Sequence, residues 1–338
     1  MIRDHWYVAC LSGQLRKRPL ARTVLDVPIA LFRDGRGAPV AVLDRCPHRN
    51  VPLSMGTVTG EGLLQCAYHG WRFDSGGVCR AVPGLEGDPD RRARRVDAFP
   101  TAEHDGLVWV FPVAGAAPAG GPYRLPHVDQ PGYRTVRRAD RVAAGLHAAL
   151  ENTLDVPHTA FLHGGLFRGG RPPVEIGVVV RHSPGRIEAE YVGEPRPPGV
   201  AGRILAPGGG VVEHVDRFLL PSIAQVEYRL EDNHLLATSA FTPVTADETM
   251  LHAVVTFRVR LPGRLVEALV VPVANRIFAQ DKVILAAQAG AVRRFGGEQF
   301  ASTELDVLGQ HIGRMLRRAE RGEADEDLPD ERRFTMRV

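Results

Sequence analysis

Apolar residues over the first third of the chain fall in short, β-branched runs. RTVLDVPIALFRD, APVAVLDRC and LVWVFP are broken by Asp, Gly and Pro, as strands joined by tight turns are. Full-length amphipathic helices are missing before residue 113, so the pattern predicts a small all-β domain over residues 1–113. Residues 113–122, VAGAAPAGGP, hold only Ala, Gly and Pro beside one Val. Such a stretch carries no periodicity and reads as a connector. We place the linker at 114–133.

The second half mixes periods. AAGLHAALENTLDVPHTAFLHGG, residues 143–165, opens with helical spacing and ends at paired glycines. Strands return between 174 and 260, and LHAVVTFRVR alternates apolar and polar positions as a half-buried antiparallel strand does. Residues 263–295 have helical spacing around Pro272, and Ser302 or Thr303 stands where it can cap a final helix through 304–320. An antiparallel sheet backed by long helices is an α+β, helix-grip-like domain, expected over 134–325. The charged end, 326–338, is expected to fray.

Composition narrows the function classes. The 338 residues are 44% apolar, enough for two cored domains. The first residues lack the apolar run of a signal peptide. The best apolar run, Leu265 to Ala274, is about half a membrane span and contains Glu267. We therefore expect a soluble cytoplasmic protein with no membrane partner. Net charge is +3 and selects no partner. The run DRRARR at 90–95 could dock an acidic protein, but no nucleic-acid motif accompanies it, and nucleic acid is not expected. Of the cysteines Cys10, Cys46, Cys66 and Cys79, the first and last lack histidine neighbours and read as small buried hydrophobes.

The other two sit in Cys-x-His and Cys-x-x-His clusters, Cys46 with His48 and Cys66 with His69. Zinc takes Cys2His2 sets, usually with both cysteines on one arm, and a zinc-stabilised binding module is one reading. In a Rieske [2Fe–2S] cluster two Cys hold one iron and two His the other, and one of each per loop lets both loops reach both irons. Pro47, Pro52, Gly70 and Gly76 suit the sharp turns such loops need, and Trp71 could shield the cluster edge.

A second candidate lies in ENTLDVPHTAFLH. His158 and His163 are five apart, out of register for a regular helix, but a turn distorted by Pro157 could bring both imidazoles to one metal. Two His and one carboxylate with open positions form the facial triad of non-haem Fe(II) oxygenases.

CPHRNVPLSMG and LQCAYHGWRFD resemble the Rieske domain of Rieske non-haem iron oxygenases, and Asn152, Asp155, His158 and His163 match that family's N-x2-D-x2-H-x4-H pattern. The resemblance runs from HWYVA at 5–9 to the last helix, specific in the two motifs and loose between them. It implies Asp281, in RIFAQDKVILAAQ, as third iron ligand, with Glu267 and Asp306 as competing acids. It implies that Asp155 hydrogen-bonds a ligand histidine and bridges to the Rieske histidine of a neighbouring subunit in a homotrimer. The activity implied is that of an oxygenase component of the monooxygenase and demethylase branch. Such a component uses O2 and electrons from a separate NAD(P)H reductase, with or without a ferredoxin, on a largely apolar small molecule, aromatic or polycyclic. Ring cis-dihydroxylation, or an electron-transfer protein with an inactive second site, are the alternatives. A G-x-G-x-x-G nucleotide motif is absent from the sequence. Candidate pocket walls are Leu162, Leu166, Phe167, Phe218, Phe241 and Phe278, with His147 and His214 as candidates for orienting a polar group.

Overall fold

The computed structural model describes residues 1–164, 174–196, 209–230, 232–259, 263–323 and 331–337. The chain forms two compact units, Met1–Arg124 with Thr242–Thr245, and Leu125–Phe241 with Ala246–Val338. The division falls inside 114–133.

The first unit is built from β1 (Tyr7–Leu11), β2 (Leu20–Val24), β3 (Val27–Arg33), β4 (Pro39–Leu43), β5 (Thr57–Val58), β6 (Leu64–Gln65), β7 (Arg72–Phe73), β8 (Cys79–Ala81), β9 (Ala98–Phe99), β10 (Thr101–His104) and β11 (Leu107–Val110). They make three small sheets, ordered β1-β11-β10, β2-β3-β4-β9 and β5-β6-β7-β8. The turn between β2 and β3 shows how local chemistry sets register. Leu25 and Asp26 both take positive φ, 51° and 64°, so two residues suffice to bring Val24 opposite Val27. Cys10 and Cys79 are fully buried. Thr242–Thr245 belong here by hydrogen bonding: Leu25 N–H donates to the Pro243 carbonyl (2.8 Å), Asp26 N–H to Val244 (3.0 Å), and Thr242 Oγ1 to the Val8 carbonyl (2.6 Å).

The second unit holds β12 (Arg134–Val142), β13 (Glu175–Ser183), β14 (Arg186–Val192), β15 (Glu213–Leu219), β16 (Ile223–Leu230), β17 (Asn233–Thr245, its last four residues in the first unit), β18 (Glu248–Arg258) and β19 (Glu331–Arg337). They form one sheet ordered β12-β18-β17-β16-β15-β14-β13-β19. Four helices accompany it among the described residues: α1 (Leu146–Leu154), α2 (His158–Leu162), α3 (Gly263–Arg294) and α4 (Gly309–Glu320). The alternation in β14 is regular, with Ile187, Ala189 and Tyr191 buried. β15 follows the same period, so the face that buries Phe218 also buries His214 and Asp216.

Two expectations need correction. Residues 331–337, read as part of a frayed tail, form β19 and pair with the outer edge of β13 from Glu175 opposite Arg337 to Arg181 opposite Glu331. An open strand edge offers unpaired donors and acceptors, and the alternation of Phe334 and Met336, the latter buried, outweighs the density of charge. The final helix starts at Gly309, not after Ser302 or Thr303. Thr303 instead closes a turn with Asp306: the Thr303 N–H donates to Asp306 Oδ2 (2.5 Å), and the Asp306 N–H to the Thr303 carbonyl (3.2 Å).

Among the described residues no helix is long and apolar enough to cross a membrane.

Candidate metal centres

Two loops of the first unit repeat one hydrogen-bond scheme. The Cys46 N–H donates to the Val51 carbonyl (2.9 Å) and the Cys46 carbonyl accepts from Asn50 N–H (2.9 Å). The Cys66 N–H donates to Trp71 (2.8 Å) and the Cys66 carbonyl accepts from Gly70 N–H (3.1 Å). Both loops turn at a left-handed residue, Asn50 (φ 59°) and Gly70 (φ 71°). The second is clamped between β6 and β7. The first is fixed by Asp44, whose carboxylate accepts from the Ser54 backbone (2.7 Å) and hydroxyl (2.6 Å).

The scheme gathers Cys46, Cys66, His48 and His69. The thiols are buried, and burial, together with the neighbouring Cys66 thiol, pushes Cys46 up to about 11. The imidazole centroids lie 4.4 Å apart, and Trp71 stacks on His48 at 4.9 Å and 6°. Burial and the neighbouring His69 hold His48 below its ordinary value, which favours the neutral, ligating form. Its Nδ1 is buried and has no hydrogen-bond partner among the described residues. A buried imidazole nitrogen is costly to leave unpaired, and a metal ion would satisfy it. Two buried thiols, two facing imidazoles and one orphaned nitrogen fit a Rieske cluster.

Gly70 carries a specific expectation. Its φ is positive, and a Cβ there would lie 3.1 Å from Pro83 Cγ. Gly70→Val should cost about 2 kcal/mol and lower the temperature at which the visible absorbance of the loaded first unit is lost; an unchanged transition would show that this turn does not hold the loop.

The second centre is built at a helix break. α1 ends at Leu154, and Asp155 is extended (φ −88°, ψ 106°). Pro157 then caps α2, which begins at His158; inside one continuous helix its ring would clash with the preceding turn. The break takes Asp155 out of the helix that its spacing from His158 would suggest. Asp155 instead folds over the start of α2: the His158 N–H donates to its Oδ2 (3.3 Å), and His158 Nδ1 meets its carbonyl oxygen at 2.5 Å. That contact aims Nε2 of His158 at Nε2 of His163, 3.3 Å away.

Asp281 arrives from the middle of α3. Its Oδ1 is 3.1 Å from His163 Nε2 and 3.7 Å from His158 Nε2. Lys282, the next residue, reaches the other way and donates to Asp140 Oδ1 on β12 (2.6 Å), which fixes the helix rotation that presents Asp281. Asn152 on α1 reaches the same Oδ1 through its Nδ2 (3.4 Å). Cis ligands on bonds of about 2.1 Å stand roughly 3 Å apart, so these spacings suit one first-row ion. His158, His163 and Asp281 are the one such group found among the described residues. Burial opposes charge on His158, but its hydrogen bonds to the Asp155 and Asp281 carboxylates win and raise it to about 9. Burial likewise opposes ionisation of Asp281, and His158 and His163 win, lowering it to about 2.

Of the competing acids, Asp306 is engaged in its turn with Thr303, and the Glu267 side chain lies outside the described residues. Leu166 and Phe167 lie outside them too. A cleft of about 1060 Å³ opens beside His158, lined among others by Glu151, Asp155, Phe161, Leu162, Phe300 and Asp306. Of the expected pocket residues that are described, Leu162 alone lines it. Phe218 and Phe241 are buried core, taken inward by sheet alternation, and Phe278 lies under the Arg138 guanidinium at 5.4 Å. His147 hydrogen-bonds the Gly309 carbonyl (2.9 Å) and joins α1 to α4. His214 is enclosed: its Nδ1 lies 2.6 Å from Glu194 Oε2 and its Nε2 2.9 Å from Asp216 Oδ1.

Sequence reasoning missed three partners. Gln280 Oε1 lies 3.0 Å from His163 Nδ1; a glutamine in a helix carries no signal of its own. Asp216 left one: the alternation His214-Val215-Asp216-Arg217-Phe218 puts His214 and Asp216 on the face of a buried Phe, whereas Glu194, past the end of β14, left none.

Comparison with known proteins agrees with this arrangement. Residues 5–100 match the Rieske [2Fe-2S] domain, and residues 142–322, more than half of the chain, match the vanillate O-demethylase oxygenase C-terminal domain. The oxygenase component of dicamba O-demethylase from Stenotrophomonas maltophilia is 41% identical over 167 residues, 48% of each chain. Methylxanthine N1-demethylase NdmA from Pseudomonas putida is 34% identical over 189 residues, 51% of each. The sequence match thus spans about half the length of these curated relatives. In three dimensions, dicamba monooxygenase bound to 3,6-dichlorosalicylic acid aligns with a TM-score of 0.82 at 26% identity, over 95% of this chain and 98% of that one. With a Rieske domain followed by this catalytic domain, the chain belongs to the Rieske non-haem iron oxygenases, in the vanillate O-demethylase oxygenase group.

Proposed function

We propose that the chain is the oxygenase component of a Rieske monooxygenase that hydroxylates, or oxidatively demethylates, a small and largely apolar molecule, aromatic or polycyclic. One observation carries this reading. A single chain holds two complementary donor sets, thiols with imidazoles in one unit and imidazoles with a carboxylate in the other. When bound, the cluster supplies single electrons and the mononuclear iron activates dioxygen. Cys46, Cys66, His48 and His69 would hold the first, and His158, His163 and Asp281 the second. Three protein donors leave the remaining positions free for dioxygen and for approach of the substrate. Dicamba O-demethylase and methylxanthine N1-demethylase, both similar to this chain, are named for removing a methyl group, which supports demethylation as one outcome.

Electrons would come from a separate NAD(P)H reductase, directly or through a ferredoxin, in the cytoplasm. Arg91 and Arg92 are exposed and could meet an acidic donor. We also propose a homotrimer in which the cleft beside His158 receives the Rieske face of a second copy. The acids Glu151, Asp155 and Asp306 line that cleft, Arg45 and Arg49 are exposed beside His48, and Phe161 is 90% exposed.

The test has two parts. Anaerobically purified protein should contain about three irons and two sulfides per chain; zinc without sulfide would end the reading. Oxygen uptake with a panel of aromatic O-methyl and N-methyl compounds should then give formaldehyde from demethylation or a hydroxylated product, and a cis-diol would move the enzyme to ring dihydroxylation. Asp155→Ala should keep both metals but slow reoxidation of the reduced cluster by substrate and O2 about 10- to 100-fold; an unchanged rate in stopped-flow absorbance would remove Asp155 from the electron path.

A further inference from the structure

We propose that Gln280 is a positioning residue of the mononuclear metal centre: its Oε1 accepts the Nδ1 proton of His163 and so fixes the imidazole in the tautomer that offers Nε2 to the metal. The proposal rests on the reading of His158, His163 and Asp281 as ligands.

A neutral imidazole has one protonated and one free nitrogen. For His163 to ligate, Nε2 must be free, because that nitrogen faces Asp281 Oδ1 at 3.1 Å and His158 Nε2 at 3.3 Å. The proton must then sit on Nδ1. His163 is 2% exposed, so bulk water does not serve as acceptor there, and the partner found at Nδ1 is Gln280 Oε1, 3.0 Å away. Without that acceptor the balance turns to the other tautomer, which Asp281 Oδ1 would accept as a hydrogen bond and which puts a proton where the metal belongs.

The two histidines are secured differently. Nδ1 of His158 meets a backbone carbonyl, that of Asp155, which no substitution removes. Nδ1 of His163 depends on one side chain. That side chain is next to Asp281 in α3, and successive helical residues point about 100° apart. One turn of α3 therefore supplies a metal ligand from Asp281 and the partner of a second ligand from Gln280. The partner is uncharged, so it fixes orientation without adding a negative charge beside the site.

The experiment uses the full chain with its Rieske cluster intact, stripped of mononuclear iron by chelation and dialysed against Co(II), with bound cobalt measured. Gln280→Leu should weaken Co(II) binding about 10- to 100-fold, while Gln280→Glu, which keeps an acceptor, should stay within a few-fold of the parent. The visible spectrum of the cluster and the melting temperature report folding, and Gln280→Met is the second apolar variant should the leucine protein not fold. Equal Co(II) affinity in the parent and a folded apolar variant would overturn the proposal. So would equal loss in the apolar and glutamate variants together with a lowered melting temperature, which marks a packing role. Failure of the parent itself to bind Co(II), or parent-like binding by Asp281→Ala, would overturn the ligand assignment instead.

Discussion

Asp281→Ala will purify with the red-brown colour of its cluster but lose the mononuclear iron. Iron should fall from about three to about two per chain while acid-labile sulfide stays near two. The reason is geometric. His158 and His163 alone give two neutral donors 3.3 Å apart, and the carboxylate supplies both the third contact and the charge that offsets a divalent ion. Cys46, His48, Cys66 and His69, proposed to hold the cluster, lie in the first compact unit and are untouched. Oxygen uptake coupled to substrate should fall to background, while reduction of the cluster by dithionite should be unchanged. Full iron retention in Asp281→Ala would mean that the third ligand is another acid.

His214→Leu will destabilise the fold by roughly 3–5 kcal/mol, read from the midpoint of urea unfolding. An ionised carboxylate can only accept, so with both acids ionised and one on each nitrogen the ring carries two protons and a charge. It is 1% exposed, with Tyr191 and Tyr228 stacked on its faces at 4.6 and 4.3 Å. Removing the cation leaves Glu194 and Asp216 buried without it. Burial alone would depress His214, but Asp216 first and then Glu194 raise it to about 9, above the ordinary 6.5. The folded state therefore holds this proton more tightly than the unfolded chain. The stabilisation is full below about pH 6.5 and fades as pH rises through 9, a decline on the order of 3 kcal/mol. His158 is raised into the same range in both proteins, so the parent should fall by about 3 kcal/mol more than His214→Leu between these values. The same slope in both proteins would refute the account.

The residues proposed to hold the cluster stood out in the sequence because each pair sits in one short loop, where spacing alone sets reach. His158 and His163 were legible as a pair, but not the break that joins them, because Asp155 looks helical until Val156-Pro157 forbids it. Asp281 lies more than a hundred residues from the histidines, and only resemblance singled it out among the acids. Periodicity located strands of the large sheet between 174 and 260 but not β12, whose polar run RTVRRADRV hid it; β19 was hidden by its charge, and the start of α4 by a Thr303–Asp306 turn that mimics a cap. Pocket walls were the least legible. An apolar residue in a strand faces core or cavity by register, and Phe218 and Phe241 went to the core.

Strand β17 changes unit between Phe241 and Thr242. A ribosome has released the first 124 residues long before it reaches Pro243 and Val244. Until then the Leu25 and Asp26 amides at the β2–β3 turn, and the Val8 carbonyl, lack the partners they have in the finished fold. The cluster-bearing half thus reaches its final hydrogen-bonding only once most of the large sheet has been translated, and a fragment cut at Arg124 would keep all four cluster ligands but not this seam.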